Sequence, residues 1–155
     1  MTTCPFCEIA ANDLDGELVA YRTENVFVIT ALRQRANHYG HALVLPNEHV
    51  VDLSGAPPSL LAEVFEVVAR VSAAMPRAFG AVGTTILQNN SIPDQTLLHL
   101  HVHVVPRFVG DGFRLPDPTV SVIDRETRVA QAAEIARALQ APDTAPATQR
   151  RPRFD

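Results

Sequence analysis

Three imidazoles stand at alternate positions in the stretch LLHLHVHVVPRF, Leu97 to Phe108: His99, His101 and His103, interleaved with Leu100, Val102 and Val104. In an extended chain successive side chains point to opposite faces, so the histidines share one face and the apolar residues the other. Such a row can be the solvated side of a strand, a set of metal ligands, or a nucleophile with its helpers. Geometry limits the metal reading, because at ~3.3 Å per residue His99 and His103 are about 13 Å apart. At most two of the three can share one tetrahedral ion. The nucleophilic reading has its own chemistry: a neutral imidazole nitrogen attacks phosphorus well and leaves well from the resulting phosphoramidate. Just upstream, QNNSIPDQT offers Gln88, Asn89, Asn90, Gln95 and Thr96, neutral donors and acceptors suited to phosphate oxygens and a nucleotide.

A second constellation lies near the first residue. Cys4 and Cys7, in TCPFCE, are the only two cysteines. A redox C-x-x-C normally opens a helix after a strand, which this stretch does not offer, so a zinc knuckle or a pair of buried thiols remains. A knuckle needs two more ligands, and His49 in LPNEHV is a candidate.

The elements that must position these residues follow from periodicity. Glu17 to Arg22 and Asn25 to Thr30 are rich in β-branched and aromatic residues and are predicted to form a hairpin. His41 to Pro46 reads as a third strand, and Gly83 to Asn89 and Leu97 to Val105 as a fourth and fifth. Between them Leu60, Leu61, Val64, Val67, Val68 and Val71 recur at helical spacing, predicting a helix from Ser59 to about Ala74 that Pro76 brings to an end. A second helix is expected after an Asp124 cap, with Val129, Ala133, Ile135 and Leu139 as its stripe. The order βββαββα is not the alternation of a parallel doubly wound sheet. It predicts an α+β domain over residues 1–141 with a five-stranded, mostly antiparallel sheet, followed by a disordered tail, 142–155, too poor in apolar groups to offset its ordering entropy.

Composition narrows the function classes. The chain has 155 residues, 46% of them hydrophobic, and a formal charge of −4, with no basic stripe for a nucleic-acid polymer. No charged leader precedes a long apolar run, and no eighteen apolar residues occur in succession, so a cytoplasmic protein without a membrane partner is expected.

The run His99-Leu-His101-Val-His103-Val-Val105 resembles the His-φ-His-φ-His-φ-φ signature of the histidine triad family, φ being apolar. GHALVLPNEH is similar to that family's Gly-His strand ending in Pro-x-x-His, DQTLLHLHVHVVPRF to its Gln-Ser/Thr run into the triad, and CPFCEIAAND to the start of its zinc-containing bacterial members. The resemblance implies a long central helix, a C-terminal helix and a homodimer whose sheets join into one. It implies that His101 becomes nucleotidylated, that His103 binds phosphate and assists exchange of the leaving group for water, and that His41 completes the cluster. It implies substrate contacts from Gln88, Asn89, Gln95 and Thr96, and one structural zinc on Cys4, Cys7, His49 and His99. The implied activity is hydrolysis or transfer of a nucleoside monophosphate from a small-molecule conjugate: a phosphoramidate, a mixed anhydride or a dinucleoside polyphosphate. A zinc hydrolase using His99, His101 and His41, or a nucleotide-binding regulatory module, are the alternatives. Two departures touch the pocket: Asp94 replaces the usual glycine, and Arg33 and Arg35 lie where many relatives carry acidic or amide residues for the ribose hydroxyls.

Overall fold

The computed structural model describes residues 4–11 and 16–141; the tail expected to be disordered lies outside them. Its strands are β1 (Val19–Arg22), β2 (Val26–Thr30), β3 (Arg33–Gln34), β4 (Ala42–Pro46), β5 (Gly83–Gln88), β6 (Val102–Arg107) and β7 (Ser121–Val122). Its helices are α1 (Pro5–Ala10), α2 (Pro58–Phe79) and α3 (Arg125–Gln140). Five strands form one sheet in the order β1-β2-β4-β6-β5, every pair antiparallel. The α+β fold and the β1-β2 hairpin are as the sequence predicts. A further two-stranded ribbon, β3 with β7, has no periodic signal to announce it.

Both faces of the sheet are covered. On one, Val26, Val28, Ala42, Val44, Val102 and Val104 meet Val64, Val68, Val71 and Met75 of α2 and Ile135 of α3. On the other, Phe27, Ile29, Leu43 and Leu45 pack beneath Phe6 and Ile9 of α1. The central strands β2 and β4 are therefore buried at every position rather than alternately.

Helix α2 runs through Pro76 to Phe79, five residues beyond the expected end. Gly80, in the left-handed conformation at φ 69°, caps it by donating its N–H to the Pro76 carbonyl. Buried Ala74 and Met75 carry the last turns into the core, and that packing outweighs the local preference of the residue before proline. In α3 the Asp124 cap is present, accepting from the Thr127 N–H at 2.8 Å, but the buried face is Gln131, Ala132, Ile135 and Ala138, while Ala133 is exposed. No described helix is long and apolar enough to cross a membrane.

The triad enters the sheet later than expected. Regular pairing begins at Val102, opposite Gln88 and Val44, so His99 and His101 lie on the irregular approach to β6 and only His103 is within it. The Leu100 N–H donates to the Val50 carbonyl instead of joining the ladder. Alternation survives: Leu100, Val102 and Val104 are fully buried toward the helices, and His103, in register with Leu43 and Leu87, faces the opposite side.

Candidate active site and metal centre

The histidine face is not a wet one. His99 is 0% exposed and His101 9%. Cys4 and Cys7, on either side of the first turn of α1, bring two sulfurs to His99 and to His49, the latter just past the end of β4. His99 Nδ1 lies 3.5 Å from Cys4 Sγ and 3.6 Å from Cys7 Sγ, and His49 Nδ1 lies 3.2 Å from Cys7 Sγ. All four ligand atoms fall within 4.8 Å of one another. Zinc in a tetrahedron, at ~2.3 Å to sulfur and ~2.0–2.1 Å to nitrogen, sets its ligands roughly 3.3–3.8 Å apart, so these donors fit the ion.

The surroundings complete the donor set. His99 Nε2 stands 2.9 Å from the Pro46 carbonyl oxygen, which can only accept, so Nε2 carries the proton and Nδ1 presents a lone pair to the sulfurs. Burial beside Cys4 pushes the Cys7 thiol up, so a cation at this spot is what would hold it as thiolate.

The same logic fixes the next ring along. His101 Nδ1 lies 2.7 Å from the His99 carbonyl oxygen, again an acceptor only, so Nδ1 is protonated and Nε2 is the free lone pair. Burial lowers the His101 pKa, keeping the ring neutral. Phe6, between the two cysteines, sets its ring 5.7 Å from that of His99 and 5.6 Å from that of His101, joining the Cys2His2 group to this imidazole by apolar packing.

His103 follows, its ring 4.9 Å from that of His101. Its Nδ1 lies 3.0 Å from Nε2 of His41, the residue immediately before β4, the strand that pairs with β6. Burial, with the charges of His101 and Arg35 beside it, brings His103 down to about 4, and burial holds His41 well below the usual imidazole range. His41 is placed by Gly40, whose φ of 91° and contact with Phe79 leave no room for a Cβ.

His41 and His103 open into a cavity of about 680 Å³ that Arg33, Arg35, Asn89 and Asp94 also line. Leu115, Pro116 and Val120 close it from the strap between β6 and β7. Of the other polar residues singled out in sequence, Gln88 sits opposite Val102 on the helix side of the sheet and bonds to Asn89 and Asn90. Gln95 is 1% exposed, with its amide donating to the Val51 carbonyl and its oxygen accepting from the Ser91 N–H. Thr96 is exposed.

No periodicity or motif announces the network that folds the strap back. Asp111 accepts two bonds from Arg107, at 2.7 and 2.9 Å, and the N–H groups of Phe108 and Phe113, which together hold it well below the usual carboxylate range. Buried His38 stands 3.1 Å from the same carboxylate. His38 joins the Arg107–Asp111 pair from a distant stretch of the chain, a contact that only folding makes.

Residues 16–110 match the HIT domain. The chain is similar to Protein hit of Bacillus subtilis, 32% identical over 112 residues that span 71% of this chain and 75% of that protein. It is also similar to the adenosine 5'-monophosphoramidase hnt1 of Schizosaccharomyces pombe, 29% identical over 106 residues, 68% of this chain and 74% of that one. A crystal structure of a zinc-bound histidine triad family protein from Mycobacterium smegmatis superposes with a TM-score of 0.71 at 32% identity, covering 88% of this chain and 93% of that chain. With the triad running into β6, its partner histidine just before β4 and the Cys2His2 cluster beside them, the chain belongs to the histidine triad (HIT) family.

Proposed function

We propose that this chain is a nucleotidyl hydrolase or transferase in which His101 Nε2 attacks the α-phosphorus of a nucleoside phosphoramidate, mixed anhydride or dinucleoside polyphosphate. The observation that carries this reading is the 2.7 Å bond from His101 Nδ1 to the His99 carbonyl, which leaves Nε2 as the nucleophilic lone pair on a buried, neutral ring. An Nε2–P bond forms as the bond from phosphorus to the leaving group breaks. The positive charge this places on the ring is stabilised by the carbonyl that holds Nδ1–H. Water then attacks phosphorus, the Nε2–P bond breaks and the nucleoside monophosphate is released.

His103 holds the phosphoryl oxygens. With His41 Nε2–H donating to His103 Nδ1, the remaining His103 nitrogen carries its proton as a donor. Asn89, lining the same cavity, adds an amide. Gln88, Gln95 and Thr96 retain the substrate contacts implied by family resemblance only if the loop rearranges around a ligand, since the two glutamine amides bond within the protein. The similarity to a phosphoramidase supports phosphoramidates as one of the three substrate classes.

Cys4, Cys7, His49 and His99 would hold zinc, which when bound supplies a structural crosslink between α1, the end of β4 and the triad segment. The rival zinc hydrolase needs His101 and His41 on the ion. Among the described residues the metal-capable group contains neither of them, and the two commitments of His99 leave it no free nitrogen for another ion. A homodimer completes the reading: β5 is an unpaired sheet edge, with exposed Ile86 on it, Val82 just before it and Phe65 on α2. The deciding experiment is intact mass spectrometry after brief exposure to adenosine and guanosine phosphoramidates. A nucleotidyl adduct in the wild type that is absent from His101→Ala is the expected result; an adduct that persists in the variant overturns the reading.

A further inference from the structure

Resting on the nucleophilic role proposed for His101, we infer that Gln95 is a positioning residue for that imidazole. It acts through the peptide unit between His99 and Leu100, whose carbonyl holds the ring.

A glutamine side chain that is 1% exposed must find its hydrogen bonds inside the protein, and Gln95 finds all of them on main chain. Its Nε2 donates to the Val51 carbonyl at 2.6 Å and stands 3.4 Å from the His99 carbonyl oxygen, while its Oε1 accepts from the Ser91 N–H at 2.6 Å. These groups belong to three segments: the stretch after β4, the approach to β6 and the loop after β5. With both ends of the amide engaged, nothing is left over for a ligand. Asp94 next to it lines the cavity of His41 and His103, and Gln95 does not.

The peptide unit that Gln95 reaches is the one on which the orientation of His101 depends. Residues 99–101 lie outside the ladder, so strand pairing does not fix it. Anchoring the His99 ring does not fix it either, because the carbonyl still turns about the Cα–C bond. A peptide unit is planar, so it is held when both of its polar ends are held. The Leu100 N–H donates to the Val50 carbonyl at 2.6 Å, and the His99 carbonyl at the other end meets Gln95, itself bonded to Val51. Two adjacent carbonyls, of Val50 and Val51, thus grip one plane, the first directly and the second through Gln95. From that plane the His99 carbonyl accepts the Nδ1–H of His101 at 2.7 Å. At 3.4 Å the Gln95 contact is at the long end of a hydrogen bond, so it steers the carbonyl while His101 keeps the stronger claim on it.

The test uses the zinc-loaded full chain and two variants. Gln95→Met keeps the length and removes every bond. Gln95→Glu keeps the acceptor for Ser91 and leaves at most one donor for two carbonyls, and it serves where Gln95→Met unfolds. Nitrogen-15 NMR of the imidazoles, with His101 assigned by its loss in His101→Ala, reads the tautomer without any turnover. The wild-type ring is expected to be the Nδ1–H tautomer, and the variants should mix in the Nε2–H form. With an adenosine phosphoramidate, kcat should fall about ten- to a hundredfold, the scale of a displaced reacting group, while KM and the affinity for AMP stay within a few-fold. An unchanged tautomer in the folded variants overturns this inference and leaves the His101 mechanism standing; weakened AMP binding in that case would make Gln95 a ligand contact. A mixed tautomer with unchanged kcat overturns the nucleophilic role of His101 and this inference with it.

Discussion

One backbone carbonyl, that of His99, accepts the Nδ1–H of His101 at 2.7 Å, while the His99 ring itself turns Nε2 to Pro46 and Nδ1 to the cysteines. One residue of the Cys2His2 group therefore also orients the proposed nucleophile, through its main chain rather than its side chain. On the proposed mechanism, removing the His101 ring removes only the attacking atom. His101→Ala is expected to lower turnover of a phosphoramidate by about three orders of magnitude or more while nucleotide affinity stays within a few-fold, and added imidazole should partly restore turnover in His101→Gly. Steady-state kinetics with calorimetry on the same samples checks both halves. Retained turnover in the alanine variant would falsify the covalent mechanism.

The cysteines are expected to act on stability before they act on rate. Cys4→Ser replaces one soft donor in a set whose members come from three separate segments, so it should lower zinc content and destabilise the fold by about 2 kcal/mol or more, some 4–8 °C in Tm. Chelation of the wild type should produce a shift in the same direction. Elemental analysis and thermal melts measure this; one zinc per chain with an unchanged Tm in Cys4→Ser would remove that residue from the ligand set.

Much of this arrangement is legible in the chain before folding, and what is not has identifiable causes. Alternation separates His99 from its neighbours' task because a strand's period of two is a local rule that survives even where the ladder does not, at residues 99–101. Cys4 and Cys7 signal a metal by their spacing, but nothing local connects them to His49 or His99; the family resemblance made that link and folding gave it distances. The end of α2 differs from the expected one because Pro76 is a local signal and the burial of Met75 a tertiary one. The type and place of Gln95 suggest a ligand contact, and its burial and its bond to Val51 come only with the fold. The β3-β7 ribbon and the Asp111 network use runs of two residues or single side chains, too short for any period to register.

Buried neutral histidines make stability depend on pH. His103 falls from 6.5 to about 4 on folding, so between those values the unfolded chain binds a proton that the folded chain does not. Stability is then fully present above about pH 6.5 and is lost as pH falls toward 4. His41, facing His103 and Arg35, shifts in the same direction. The Tm should fall monotonically between pH 7 and pH 4, and less steeply in His103→Asn. A wild-type Tm that is flat across this range would show that the His41–His103 pair is not held neutral.

Gly40 ties the reactive row to the far end of the long helix. Its φ of 91° is one that residues with a Cβ rarely adopt, and a Cβ there would overlap the Phe79 ring, near the C-terminus of α2. Tyr39 packs against that ring edge-on at 5.4 Å between centroids, so moving the ring disturbs a second contact. Gly40→Ala must therefore strain the backbone, displace the helix end, or shift His41, whose bond to His103 is made from the next residue. A loss of about 2–4 kcal/mol is expected from strain and overpacking together. Turnover per folded molecule should fall as well, because His41 no longer meets His103 at 3.0 Å. Phe79→Ala in the Gly40→Ala background separates the two effects: the void relieves the overlap but not the dihedral, so stability should recover in part while the backbone strain at position 40 remains. Full recovery would assign the whole effect to the ring, and no recovery would assign it to φ.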